Sequence, residues 1–366
     1  MKDFSAAVVR EQGGAFRIET VTMEEPLPHE VLVRIAGVGM CHTDLVVRDQ
    51  YFPTPLPAVL GHEGSGVVEA VGSDVTKVAP GDHVVLSYAS DGTCQNCQEG
   101  QLGYCPDLYG RNFSGRRPDG TTPLRDASGA EISAYFFAQS SFGEYALATE
   151  ANVVKIDRDV PLELMGPLGC GIQTGAGAVM NALQPKAGES IAVFGAGSVG
   201  MSAIMAAAAV GCGKIVAVDI NESRLETAKA LGATHAVDSN AENPVEKIIE
   251  ITGDGAQYSL ECTGVPAVVR QAVECLRLTG VAGTMGVAPL GTEITLDMAS
   301  ILFGRTLRGI IEGDSIPDIF IPRLVDLWKQ GRFPFDKLVK TYPLSDIEKA
   351  AHDSESGAVL KAVLIP

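Results

Sequence analysis

The stretch Ile191-Ala-Val-Phe-Gly195-Ala-Gly197-Ser-Val-Gly200 decides how this chain reads. Four apolar residues make a buried strand, three glycines follow at the spacing Gly-x-Gly-x-x-Gly, and small apolar residues then continue as a helix from Ser198. Such glycines allow a tight turn and let the backbone approach an anion at the helix N-terminus, where unpaired N–H groups and the helix dipole favour negative charge. Working outward, Ile215 to Val218 reads as a second strand closed by Asp219, with a helix from Glu222. Tyr258 to Cys262 leads into a helix from Pro266. Strand and helix alternate in this way as far as Val287, the rhythm of a parallel, doubly wound α/β sheet. The complete unit implies a dinucleotide site with the pyrophosphate on Gly195, Gly197 and Gly200. Asp219 would accept from the adenosine ribose hydroxyls and repel a 2′-phosphate, which favours NAD over NADP. Arg224 lies one turn into the next helix. It is placed either to reach the ribose or adenine edge or simply to face solvent.

The N-terminal part has another character. Short alternating runs at Ala6 to Arg10, Val31 to Val38, Gly66 to Val71 and His83 to Ser87 are separated by Gly and Pro. They read as antiparallel strands of a β-rich, barrel-like domain. Gly110 to Glu131 is polar, with Gly, Pro and several Arg, and reads as an excursion loop. Order resumes at Phe136, and Glu144 to Thr149 reads as strand. Beyond Glu312 a helix around Ile319 to Gln330 and a strand at Val359 to Ile365 are expected to pack back on the first domain.

Composition bounds the function. A chain of 366 residues, 46% hydrophobic with 41 glycines, is too long for one core and fits a two-domain enzyme. A net charge of −17 argues against nucleic acid and against an anionic membrane surface, since both require clustered Lys and Arg. No apolar run suits a signal peptide or approaches the ~20 residues of a membrane span, so the expected location is cytoplasmic. Eight cysteines, three of them crowded between positions 94 and 105, suggest metal sites or buried thiols rather than disulfides. Cys212, Cys262 and Cys275 fall in the βαβ elements and read as core.

Two clusters carry metal chemistry. Met40 to Gly72 holds Cys41 and His62, each with a carboxylate close behind it, Asp44 and Glu63. These are the makings of a zinc site and its supporting shell. The third ligand candidate is Cys170 in Gly-Pro-Leu-Gly-Cys-Gly. The second cluster is Asp91-Gly-Thr-Cys94-Gln-Asn-Cys97, with Cys105 further on.

Cys41-His42-Thr43-Asp44, Gly61-His62-Glu63-Gly64, the Asp91 to Cys105 loop, Cys170 with Gln173 and Thr174, and the Gly195 to Gly200 fingerprint occur together and in order. The chain resembles the zinc-dependent medium-chain alcohol dehydrogenases over nearly its whole length. That resemblance implies a GroES-like β-rich catalytic domain made of residues 1–171 and 312–366. A Rossmann NAD-binding domain of residues 172–311 lies between, with the active-site cleft at the junction. It implies a catalytic zinc on Cys41, His62 and Cys170, the Cys₂His set known for alcohol dehydrogenases, with an open position for substrate. Asp44 would orient His62, and Glu63 would stand behind the metal. Thr43 would receive the alcohol proton, while His42 would contact the coenzyme. Thr174, Ser198, Val199, Val287 and Lys361 would complete the coenzyme site. Relatives carry four cysteines where this chain has Asp91, Cys94, Cys97 and Cys105. A carboxylate oxygen is a legitimate zinc ligand, so a structural Asp-Cys₃ zinc and an empty or weakly filled site both stand as readings. Many relatives end the proton relay on a histidine three residues after Thr43. Here the residue is Val46, which leaves water or His42 as the exit, histidine being the side chain that exchanges protons near neutral pH.

For the alcohol pocket, the resemblance points to Phe136, Phe137, Ser87 and Ile311. Neighbouring side chains on a strand face opposite ways, so Phe136 and Phe137 line one pocket only if the backbone is irregular there. Ser87 stands near a position often held by a bulky aromatic and leaves room. A roomy, apolar, partly aromatic pocket favours a large primary alcohol over ethanol and places the chain near the aryl-alcohol branch. Dehydrogenases for S-hydroxymethylglutathione or long aliphatic alcohols are the alternative, and a non-catalytic NAD-binding protein is the alternative of another class. Relatives are homodimers or homotetramers, and Gly283 to Leu296 is the candidate interface.

Overall fold

The computed structural model describes residues 1–366. They form two compact units: Met1–Cys170 with Ile316–Val325 and Asp336–Pro366, and Gly171–Ser315 with Asp326–Phe335. The second unit thus runs to Ser315 rather than Ile311 and also holds Asp326–Phe335.

The first unit is built on two sheets. One has Lys2–Val9 and Arg17–Met23 at its centre, with Ala58–Val59 on one side and Leu124–Asp126 and Glu131–Ile132 on the other. The other orders Val153–Ile156, His83–Leu86, Glu63–Val71, Glu30–Gly39, Lys361–Ile365 and Val339–Pro343, with Tyr145–Thr149 also paired to Glu30–Gly39. Glu30–Gly39 is buried along almost its whole length, which is why its sequence is a near-continuous apolar run rather than a clean alternation. The C-terminal strand pairs antiparallel to it, Val363 opposite Gly39 and Leu364 opposite Val38. That register carries Lys361 to the side of the Met40 to Glu63 region.

The polar stretch from Gly110 to Glu131 is not a free excursion. A helix at Leu108–Phe113 enters it, and Leu124–Asp126 pairs with Val21, Thr22 and Met23. Between them Arg117 is buried, its guanidinium bound at 2.7 and 2.9 Å to both oxygens of Glu30, which also accepts from the Tyr135 hydroxyl at 3.2 Å. An arginine in a polar segment reads as solvated because its counter-charge lies far back in the chain, where local pattern does not reach. Once desolvated, such a pair anchors its segment, since removing one partner would strand a buried charge.

The second unit is a six-stranded parallel sheet in the order His235–Asp238, Lys214–Asp219, Ser190–Phe194, Ala256–Glu261, Leu276–Thr284, Thr306–Gly309. The chain order 3-2-1-4-5-6 reverses direction beside Ser190–Phe194, the place where doubly wound sheets bind dinucleotides. Local chemistry starts and stops its helices. Asn221 and Asn243 accept from the first free N–H groups of Glu222–Ala230 and Pro244–Thr252. Pro266 opens Pro266–Glu274, where the missing N–H costs nothing. No helix of the molecule is long and apolar enough to cross a membrane.

Candidate active site

Cys41 caps a short helix, His42–Arg48, and Asp44 does three jobs at its first turn. Fully buried, its carboxylate accepts from Cys41 N at 2.9 Å, from Gly61 N at 3.0 Å and from His62 Nδ1 at 2.9 Å. With Nδ1 committed to a carboxylate, the imidazole presents Nε2 as its free nitrogen. Nε2 is buried and has no protein partner. Cys170 arrives on the turn Gly166–Gly169, which lies directly on neighbouring backbone. A Cβ on Gly166 would stand 2.1 Å from the Glu63 carbonyl oxygen, and one on Gly169 2.0 Å from that of Leu86. Only glycine allows this approach, and it sets the Cys170 thiol beside His62.

The ligating atoms of Cys41, His62, Glu63 and Cys170 lie within 4.8 Å of one another. A hydrogen bond from the Cys170 thiol outweighs the burial that would raise the Cys41 pKa. With His62 and Lys361 nearby, it holds the Cys41 thiol well below its ordinary value. Burial alone would lower His62, but Asp44 and then Cys41 overcome it and push the imidazole well above its usual range. Two sulfurs, of which Cys41 is held toward the thiolate, an imidazole nitrogen without a hydrogen-bond partner and a buried setting fit a zinc ion. Glu63 is the member of this cluster that is ion-paired: Lys361 Nζ lies 2.9 Å from both of its oxygens and 3.2 Å from the Met40 carbonyl.

Lys361, expected at the coenzyme, is ion-paired to Glu63 in the fold. It is 2% exposed, and its three N–H groups match the two Glu63 oxygens and the Met40 oxygen. Burial works against the ammonium, while Glu63 and Cys41 more than offset it and keep the pKa raised. The reason lies in the register of the last strand, which no local pattern discloses. Thr43 has its hydroxyl 3.7 Å from Cys41 Sγ, and His42 is exposed.

The aromatic residues do meet at the metal cluster. Phe137 stacks on the His62 ring at 4.4 Å and Phe136 meets it edge-on at 5.3 Å. Both reach one imidazole because the backbone is irregular: Phe137 and Ala138 have φ of 51° and 50°. Ser87 is fully buried and its hydroxyl donates to the Gly169 carbonyl at 2.7 Å. Its small size is thus also a link to the Cys170 turn. Ile311 is half exposed on the second unit. Gln139 and Asn152, both buried beside this cluster, carry no sequence motif and escaped the sequence reading.

Asp91, Cys94, Cys97 and Cys105 form a second cluster with ligand atoms within 4.8 Å. Asp91 Oδ1 accepts from Thr93 N at 2.6 Å and Cys94 N at 2.7 Å, and these bonds aim Oδ2 at Cys105 Sγ, 3.2 Å away. The same two bonds hold the Asp91 carboxyl well below the usual range, so it stays an anionic ligand. Burial pushes the Cys105 thiol up to about 12, so a cation is what would make it a thiolate near neutral pH. The set fits zinc with one oxygen and three sulfurs. Chelator-washed protein is expected to retain about two zinc atoms per subunit, and Asp91→Ala about one, with a lower Tm. One atom in the unaltered protein by metal analysis would count against the oxygen ligand.

In the second unit the three fingerprint glycines differ in what demands them. Gly195 has φ of 89°, and a Cβ on Gly200 would lie 1.8 Å from the Gly195 carbonyl oxygen, so turn and helix could not close. A Cβ on Gly197 would meet nothing within 4 Å. That open space above Ser198, at the start of Ser198–Val210, is where a pyrophosphate fits. Asp219, 7% exposed, binds Ala196 N at 2.6 Å and Asn221 N at 2.9 Å, so it also braces the turn. Arg224 stands 4.0 Å from Asp219 with its Nε buried and unpartnered, which suits a bound polar group better than a solvated side chain. Thr174 Oγ1 is 3.4 Å from Glu312, and Val287 is exposed. Val199 follows Ser198 in the helix whose first N–H groups face the open space.

Fold and site together define a zinc-dependent alcohol dehydrogenase of the medium-chain class that uses NAD, and the chain belongs to that family. Residues 27–158 match the alcohol dehydrogenase GroES-like domain and residues 198–329 the zinc-binding dehydrogenase domain. Among named relatives it is similar to a geraniol dehydrogenase of Castellaniella defragrans, 47% identical over 98% of this chain and 97% of that protein. The crystal structure of a benzyl alcohol dehydrogenase from Acinetobacter calcoaceticus matches with a TM-score of 0.96 and 49% identity over 100% of this chain and 99% of that one. An alcohol dehydrogenase zinc-binding domain protein from Burkholderia ambifaria matches at 0.99 and 55%, with the same coverage.

Proposed function

We propose that this dehydrogenase oxidises a large primary alcohol whose carbinol carbon adjoins a ring or other π system, an aryl alcohol above all, to the aldehyde. The observation that carries this reading is the pair of rings, Phe136 and Phe137, packed directly on the zinc-ligating candidate His62. The exposed edge of Phe137, backed by the fully buried Phe136, offers a planar substrate a contact that an ethyl group cannot use, and the gain scales with buried area. Similarity to proteins named for benzyl alcohol and geraniol supports the same class, since both alcohols lose hydride to give a conjugated aldehyde.

In this reading Cys41, His62 and Cys170 hold zinc, which supplies a Lewis acid that lets a bound alcohol lose its proton near neutral pH. Asp44 fixes the tautomer and angle of His62. Lys361 keeps Glu63 ion-paired beside the ligand set. Thr43 accepts the alcohol proton at its hydroxyl. Val46 cannot take it further, so it leaves to water or to the exposed His42. On the second unit Gly195, Gly197 and Gly200 seat the pyrophosphate of NAD, the hydride acceptor, and Asp219 with Arg224 receives the adenosine ribose. Assembly as a homo-oligomer is proposed on Gly283 to Leu296, where Val287, Leu290 and Ile294 expose apolar side chains.

A substrate panel tests the proposal. The zinc-loaded enzyme with NAD should show kcat/KM for benzyl alcohol and geraniol roughly tenfold or more above hexan-1-ol, with ethanol lowest, a margin within what apolar pocket contacts supply. A preference for ethanol or hexan-1-ol would overturn it.

A further inference from the structure

The turn that carries the two rings is buried and strained, and a dense set of hydrogen bonds holds its backbone. Phe137, Ala138 and Ser140 have φ of 51°, 50° and 48°, three non-glycine residues in the left-handed region within four positions. A Cβ makes that conformation unfavourable, and it persists only where the surroundings over-determine it. On one face Phe136 and Phe137 meet His62. On the other face Tyr135 and Ala138 are buried against Ala89 and border a cavity of about 700 Å³.

Two buried amides fix the backbone of the turn. Gln139 Nε2 donates to the His62 carbonyl at 2.9 Å and the Ser87 carbonyl at 3.2 Å, while its Oε1 accepts from Gly64 N at 3.1 Å and Ser141 Oγ at 2.6 Å. Asn152 Nδ2 donates to the Ser87, Phe137 and Ala138 carbonyls at 3.1 to 3.3 Å, and its Oδ1 is fixed by Thr149 N and Oγ1. Ser140 Oγ pins the far end, donating to the Val59 carbonyl at 2.7 Å and accepting from Phe136 N. Both amides converge on Ser87, whose hydroxyl holds the carbonyl of Gly169, the neighbour of Cys170. One polar network therefore ties the aromatic wall to the backbone of His62 and to the turn that delivers Cys170.

We propose that Gln139 and Asn152 are positioning residues that set how well the enzyme discriminates ring-bearing from flexible-chain alcohols, by holding the left-handed Phe136 to Ser140 turn at a fixed distance from the metal cluster. This rests on the reading that the two rings wall the alcohol pocket. A rigid wall rewards a planar substrate that fits it, whereas a flexible chain adapts to a wall that shifts. Neither amide touches substrate. Their influence runs through the position of Phe136 and Phe137.

The test uses the zinc-loaded enzyme with NAD and compares kcat/KM for benzyl alcohol with that for hexan-1-ol. Gln139→Met keeps the volume and removes the four hydrogen bonds. The benzyl-to-hexanol ratio is expected to fall roughly tenfold, mainly through KM for benzyl alcohol, with kcat for hexan-1-ol and zinc content nearly unchanged. Adding Ala138→Gly, which relieves the strain at one position, should restore part of the ratio. An equal fall for both alcohols would reduce Gln139 to a structural role and overturn the proposal, as would an unchanged ratio. Should Gln139→Met not fold, Asn152→Ser carries the same readout, with a fall of about threefold expected and an unchanged ratio overturning it. A parent enzyme without benzyl preference would sink the substrate proposal alone, since the shift of its own ratio in these variants still decides the role of the amides.

Discussion

Cys41→Ala is expected to lower kcat/KM for NAD-dependent alcohol oxidation by roughly a thousandfold or more, since a Lewis acid supplies several kcal/mol of charge stabilisation and each 1.36 kcal/mol is tenfold. The substitution removes a thiol that its surroundings hold toward the thiolate. His62 Nε2 and Cys170 remain, but two donors do not make the closed face of a catalytic zinc site. Metal analysis should show about one zinc atom fewer per subunit, the Asp91 cluster keeping its own. Helix His42–Arg48 should survive, because the Asp44 carboxylate still accepts from the backbone N–H of residue 41. Circular dichroism and the melting curve therefore separate loss of chemistry from loss of fold. Oxidation surviving at even a tenth of the parent rate would rule out Cys41 as a ligand.

For the coenzyme the corresponding position is Asp219. Asp219→Ala should raise KM for NAD about a hundredfold, the worth of two lost hydrogen bonds to a charged acceptor, while kcat at saturating NAD changes only a few-fold. The ratio of NADP to NAD efficiency should rise, because the carboxylate that repels a 2′-phosphate is gone and Arg224 is left without its neighbour at 4.0 Å. Part of the effect is internal. Asp219 also binds Ala196 N and Asn221 N, so its loss loosens the glycine turn and should lower unfolding free energy by about 1 to 3 kcal/mol. Asp219→Asn keeps one acceptor oxygen and the side-chain volume and should recover most stability but not the coenzyme preference. Unchanged KM for NAD in Asp219→Ala would remove the residue from the coenzyme site.

Much of this was legible in the sequence because the chemistry declares itself by residue type. Cys41, His62 and Cys170 are separated by long stretches of chain, yet each sits in a short motif, and the structure brings their donor atoms together. The alternation of strand and helix from Ile191 onward announces a parallel sheet, and its glycine turn follows the first strand of the unit. Asp91 was readable as a departure from four cysteines, and its Oδ2 does face Cys105. Less legible was Gly110 to Glu131, where buried Arg117 depends on Glu30. A polar composition describes only what the segment offers to water, and says nothing of a partner elsewhere.

Sequence by itself determined the class of enzyme and named the candidate metal donors and the candidate coenzyme carboxylate, because these rest on which atoms a residue carries and on spacings that a turn or a helix enforces locally. The tertiary structure alone decided the rest. Lys361 meets Glu63 because strand register sets its place. Phe136 and Phe137 both meet His62 because three left-handed residues bend the chain, and Gln139 with Asn152 binds that bend to carbonyls contributed by distant segments. Every residue has a backbone carbonyl, so the sequence cannot mark which of them a buried amide will find. Only the folded path of the chain does.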